Sequence, residues 1–167
     1  MTDTPATTLD TIDRRITTWM AAHGLTLLRM ALAIVFLWFG ALKLVPGISP
    51  AEDLAGRTIE TLTAGIVPAG VAVPILALWE VAIGVGLLIG RWMRVTLLLL
   101  FVQMLGTITP LVLFPDETWV RFPLVPTLEG QYIIKNVVLV GAAIVVGATV
   151  RGGRVEPEPI PRAAPRP

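Results

Sequence analysis

The sequence contains no cysteine. That absence removes disulfides, thiol–disulfide relays, thiolate metal sites and iron–sulfur clusters from the chemistry open to the chain. Its single histidine, His23, excludes a haem held by two histidines of one chain, so no haem, iron–sulfur or metal cofactor is expected. Charge is scarce as well: acidic and basic residues make up 15% of the 167 residues against 54% hydrophobic, and the mean hydropathy is +0.78. Such a chain is too apolar for a soluble domain and fits the membrane class. The thirteen lysines and arginines are scattered and not gathered into a patch, which leaves nucleic-acid binding without support.

What the chain has in abundance is long apolar runs. A membrane-crossing helix needs about 20 mostly apolar residues, and four windows qualify: Leu25 to Val45, Val71 to Gly90, Val95 to Phe114 and Ile133 to Val150. Lipid offers backbone amides no partner, so runs of this length read as helices. The expected fold is therefore an all-α membrane protein, a four-helix bundle over residues 25–150 with short interfacial helices. Basic residues set its orientation. Arg14 and Arg15 precede the first span, Arg91 and Arg94 fill the turn between the second and third, and Arg151, Arg154, Arg162 and Arg166 follow the fourth. The other two connections carry only Arg57 and Arg121, so the positive-inside rule places both termini in the cytoplasm of a multi-pass inner-membrane protein. The first run is longer than the apolar core of a signal peptide and carries Arg29 and Lys43, which marks it as a retained anchor.

The flanking segments have their own signatures. Leu9, Ile12, Ile16, Trp19 and Met20 share one helical stripe, and Gly24 follows as a stop, so residues 1–24 read as a cytoplasmic amphipathic leader. Ser49-Pro50-Ala51-Glu52 has the form of a capping box, and a helix starting there would lie across the outer face. Pro115 to Tyr132 carries Trp119, Phe122 and several prolines, the marks of an aromatic belt with turns. The proline- and arginine-rich tail, 151–167, reads as disordered.

Polar residues inside the apolar runs are the candidates for function. Arg29, Phe36 and Lys43 recur at intervals of seven, which puts them on one helix face. Glu80 sits near the middle of the second span. Helical side chains lean toward their own N-terminus, so Lys43 leans inward from the outer side, Glu80 leans outward to meet it, and Arg29 leans toward the cytoplasmic headgroups. Lys43 with Glu80 is the expected pair. Gln103 and Thr107 lie four apart on the third span, with Pro110 on the same side freeing the Gly106 carbonyl. Their main expected role is bridging helices. Glu129, Gln131, Lys135 and Asn136 add polarity near the outer end of the fourth span, and Trp38 and Trp79 are expected to line the resulting outer-half pocket with indole.

These residues carry a resemblance. Leu28-Arg29 with Phe39-Gly40-Ala41-Leu42-Lys43, Trp79-Glu80-Val81-Ala82-Ile83-Gly84, Thr109-Pro110-Leu111 and Leu128-Glu129-Gly130-Gln131-Tyr132-Ile133-Ile134-Lys135-Asn136 together resemble DoxX-like membrane proteins, in the YkgB-like branch related to the reactive-chlorine-resistance protein RclC. The resemblance spans about residues 25 to 150. It implies a four-helix bacterial inner-membrane protein linked to oxidative or chlorine stress and, in the founding members, to quinone-coupled sulfur oxidation. The short connection between the first two spans departs from the longer members.

The reading that follows is an accessory membrane subunit, not a stand-alone enzyme, that binds a quinone or similar lipophilic molecule and serves a partner oxidoreductase. Lys43 or Gln131 would donate to a quinone carbonyl, Trp38 or Trp79 would stack on the ring, and Glu80 would pass protons. Two other readings stand beside it. One is a small proton-linked permease coupled through Glu80, which would need a homodimer because four helices are few for alternating access. The other is a membrane scaffold recruiting cytoplasmic oxidoreductases through the tail and the leader.

Overall fold

The computed structural model describes residues 8–50 and 52–155. Seven helices and one small hairpin follow in order: α1 (Thr8–Leu42), α2 (Glu52–Leu62), α3 (Ala69–Ile89), α4 (Met93–Ile108), α5 (Pro110–Leu113), α6 (Pro115–Thr118), β1 (Trp119–Arg121), β2 (Val125–Pro126) and α7 (Leu128–Ala148). Four helical stretches are long and apolar enough to cross a membrane, namely α1, α3, α4 with α5, and α7. The mostly helical, four-span architecture expected from the hydropathy pattern is what the chain adopts.

The spans close into a ring in which α1 packs on α3, α3 on α4, α4 on α7 and α7 back on α1, with the α1–α3 contact the most extensive. At its centre lie Leu32, Ala33, Phe36, Ile83, Leu87, Leu97, Leu100, Ala143 and Val146. Outward faces stay apolar, with Ile34, Leu78, Leu98, Leu105, Val137 and Ile144 all exposed, as surfaces in contact with acyl chains are. Packing in such a setting depends on close backbone approach, because lipid offers no hydrophobic drive between helices. Gly84 supplies it between α3 and α1: a Cβ there would meet the Leu37 Cγ at 2.6 Å and the Leu37 backbone nitrogen at 2.8 Å. Gly40 does the same one turn outward, where a Cβ would lie 2.9 Å from the Glu80 Cβ. Gly86 plays the same part between α3 and α4, where a Cβ would meet the Thr96 methyl at 2.8 Å.

Several boundaries differ from the sequence reading for physical reasons. Gly24 does not stop a helix, and α1 runs unbroken from Thr8 to Leu42. One glycine costs a helix only about 1 kcal/mol relative to alanine, too little to end a run flanked by strong helix formers. At 1.5 Å per residue α1 is about 52 Å long, well beyond the roughly 30 Å hydrocarbon layer. The first span ends at Leu42 and not Val45, because Pro46 lacks the N–H that would bond the Leu42 carbonyl. The fourth starts at Leu128, five residues early, where the Thr127 side chain accepts from the Gly130 N–H. The belt region also forms the β1–β2 hairpin, pairing Trp119 with Pro126. Of the tail, residues 156–167 lie outside the described residues.

At Pro110 the third span continues without breaking its path. The Gly106 carbonyl freed by the proline accepts from the Thr109 hydroxyl at 2.7 Å and from the Thr109 N–H at 3.2 Å. A neighbouring side chain thus compensates the missing donor, which is how membrane helices tolerate proline.

Candidate functional site

Lys43 is the first residue past the end of α1, in a turn closed by its own N–H on the Gly40 carbonyl at 3.2 Å. From there its stem reaches into the bundle. Nζ donates to Glu80 Oε2 at 2.8 Å and approaches the Phe39 carbonyl at 3.4 Å. From α4, Gln103 Nε2 donates to the other carboxylate oxygen, Oε1, at 2.7 Å. Lys43 and Gln103 therefore converge on the Glu80 carboxylate, with exposures of 8% for Lys43, 7% for Glu80 and 9% for Gln103. Gly40 makes the geometry possible, because only a residue without Cβ lets α1 pass this close to the backbone at Glu80 and Val81.

An ionised carboxylate only accepts hydrogen bonds, so the Gln103 amide presents its NH2 end to Glu80. Its oxygen, Oε1, is then left buried, and among the described residues it has no hydrogen-bond partner. Buried polar atoms are partnered in the great majority of cases. The cluster is satisfied on the carboxylate side and carries one unmet acceptor on the amide side.

The remaining expected site residues are placed as follows. Thr107 is half-buried and donates to the Gln103 backbone carbonyl at 3.0 Å, one turn beyond the cluster on α4. Trp79 is half-buried too, but its indole N–H donates to the Leu99 carbonyl at 3.1 Å, tying α3 to α4. Trp38 is 66% exposed on the outside of α1 and does not line an interior pocket. Glu129, Gln131 and Lys135 are exposed on α7 and Asn136 is half-buried. None of these four bonds to Lys43, Glu80 or Gln103, and the Lys135 ammonium sits over the Tyr132 ring at 5.4 Å. The structure joins the side chains of Lys43, Glu80 and Gln103, with Thr107 bonded to the Gln103 backbone alone.

One further charged cluster lies beside the bundle end near Lys43. Arg57 on α2 makes a two-pronged contact with Glu117 on α6, at 2.8 and 2.6 Å, and bonds Asp53 at 2.8 Å. Its guanidinium also lies 5.0 Å from the Phe114 ring centre. Glu52 turns back on the Gly47 N–H at 2.9 Å in place of the Ser49 amide that a capping box would use. The hydrogen bond from Arg57 holds the Glu117 carboxyl below its ordinary value. A depressed acid contributes stability above its unfolded-state pKa and loses it as pH falls through the folded one. The α2–α6 contact is thus expected to hold at neutral pH and release only below the ordinary carboxylate range. Titrating the Glu117 carboxyl by NMR should show its midpoint return to the ordinary range in Arg57→Gln; an unchanged midpoint would separate the shift from Arg57.

A helical bundle of four apolar spans, with a buried ion pair and amide between its first three, defines a small multi-pass membrane protein. The DoxX family model matches residues 24–114, more than half of the chain, and the chain belongs to that family. The matched stretch holds Lys43, Glu80 and Gln103 and ends before α7. No curated protein and no solved structure matches the chain.

Proposed function

We propose that this DoxX-family protein is an accessory subunit in redox or oxidative-stress defence, in the RclC-related branch, and that Lys43, Glu80 and Gln103 form the polar end of a site for a quinone or similar lipophilic molecule. The observation that carries the reading is the unmet Gln103 Oε1 beside a charge pair. A buried acceptor of this kind calls for a donor, and a hydroquinone hydroxyl would supply one. Glu80, which accepts from the NH2 group of the same amide, is the group that would take up or release the proton that accompanies quinone chemistry. Reduction of the quinone consumes two electrons and two protons. In this reading the electrons come from a partner oxidoreductase or a bound cofactor. In this reading the arginine-rich end of the bundle faces the cytoplasm of a bacterial cell, by the positive-inside rule.

Solvent extraction and mass spectrometry of the purified protein provide the test. Quinone is expected to co-purify at about one per chain and to be lost in Gln103→Leu. Titration with a short-chain quinone should quench indole fluorescence, half-buried Trp79 being the nearest reporter in sequence. Protein free of quinone and unresponsive to titration would overturn the reading. Proton-dependent uptake by proteoliposomes that vanishes in Glu80→Gln would favour the permease instead.

A further inference from the structure

At the bundle end opposite Lys43, about 15 Å along α3 from Glu80, a cavity of about 600 Å³ opens between α1, the α3–α4 turn and the end of α7. Its polar lining includes Thr26, Arg29, Arg94 and Thr149, and its apolar lining includes Leu25 and Val146. Nothing in the proposed quinone site uses it.

Arg29 is seated there by local geometry. Gly90 ends α3 in a left-handed conformation, φ 73°, and the Arg29 guanidinium lies against it where any Cβ would stand. Nη1 donates to the Leu87 carbonyl in the last turn of α3 at 3.1 Å. That bond occupies one of five guanidinium N–H donors. Among the described residues no carboxylate pairs with Arg29, although the side chain is half-buried. A guanidinium does not deprotonate in proteins, so a partly desolvated cation with spare donors faces an open cavity. Arg94, exposed on its rim and without a hydrogen-bond partner among the described residues, adds a second positive charge.

These charges suit an anion, and the cavity's shape and surroundings narrow its kind. The space far exceeds that needed by inorganic phosphate, and much of the lining is aliphatic. It also sits at the end of lipid-facing helices, beside Trp92, which is 84% exposed as an interfacial anchor would be. We infer that this cavity binds an anionic phospholipid, its phosphodiester held by Arg29 and Arg94 and its first acyl methylenes seated against Leu25 and Val146.

Delipidated protein in detergent, titrated separately with phosphatidylglycerol, phosphatidylcholine and inorganic phosphate, tests this by native mass spectrometry. One phosphatidylglycerol per chain should be retained under conditions that strip phosphatidylcholine. Arg29→Gln should weaken that binding about ten-fold, as losing a charge-assisted bond does. Arg94→Gln, at an exposed position that the fold does not depend on, should weaken it about three-fold with the thermal transition unchanged. Gln103→Leu, which removes the proposed quinone contact, should leave lipid retention unaltered, so the two sites fail separately. Equal retention of both lipids, displacement of the lipid by inorganic phosphate, or full retention in Arg94→Gln would each overturn the assignment.

Discussion

Lys43→Met is expected to destabilise the bundle by about 3–5 kcal/mol, because it leaves the Glu80 carboxylate buried with its counter-charge removed. The pair itself need not add net stability. Bringing both ions out of water is costly, and a well-packed apolar pair of similar volume often does as well. The double variant Lys43→Met/Glu80→Leu should therefore recover most of the loss. Unfolding in mixed micelles, followed for the two single variants, the double variant and the parent, measures the coupling. Additive losses in the double variant would mean that the 2.8 Å contact carries no coupling. Gln103 complicates the recovery in an informative way: with Glu80 gone its NH2 group loses its acceptor, so adding Gln103→Leu should improve the double variant further.

Gly84→Ala is expected to cost about 2–3 kcal/mol, at the upper end for adding one methyl to a packed core. The added carbon would meet the Leu37 backbone nitrogen at 2.8 Å as well as its side chain, and backbone cannot rotate aside. Helices α1 and α3 would have to separate, straining the Lys43–Glu80 contact further along the same interface. Gly86→Ala provides the contrast. There the three atoms nearest the new carbon are the Thr96 hydroxyl, methyl and Cβ, the last at 3.1 Å, all of one side chain and none of the backbone, so the cost should stay below that of Gly84→Ala. Thermal transitions of the two variants in detergent decide the matter. Equal gains in stability, the sign that alanine's better helix propensity gives on its own, would show that close packing does not act at these positions.

The legible parts of the molecule are those governed by short-range rules. Hydropathy locates four spans, and the seven-residue spacing of Phe36 and Lys43 with the N-terminal lean of helical side chains brings Lys43 to Glu80 from sequence alone. The same periodicity also bears on Trp38: at about 100° per residue it lies some 200° from Phe36, on the outside, where the structure puts it. The Thr127 cap has a local signal too, a threonine two residues before Glu129, which the expected start at Ile133 does not use. Other features had no local signal. Arg57 and Glu117 are 60 residues apart, and only the folded chain joins them. Gln103 fell on the right face of its helix, yet its direct bond to the carboxylate depends on the rotation of α4 about its axis, set by Gly86 against Thr96 and by the Trp79 bond to Leu99. The cavity at Arg29 is a gap between three elements, and gaps leave no trace in a sequence.

The central claim is that a lysine at the end of α1 turns into the bundle to meet a carboxylate of α3. Solid-state NMR of selectively labelled protein in lipid bilayers tests it most directly, through the dipolar coupling between Lys43 Nζ and the Glu80 carboxyl carbon. The structure, with Nζ 2.8 Å from Oε2, predicts a strong cross-peak of direct contact that disappears when the same lysine and glutamate labels are carried in Glu80→Gln. A Lys43 nitrogen coupled to lipid phosphorus, with no correlation to Glu80, would contradict the account.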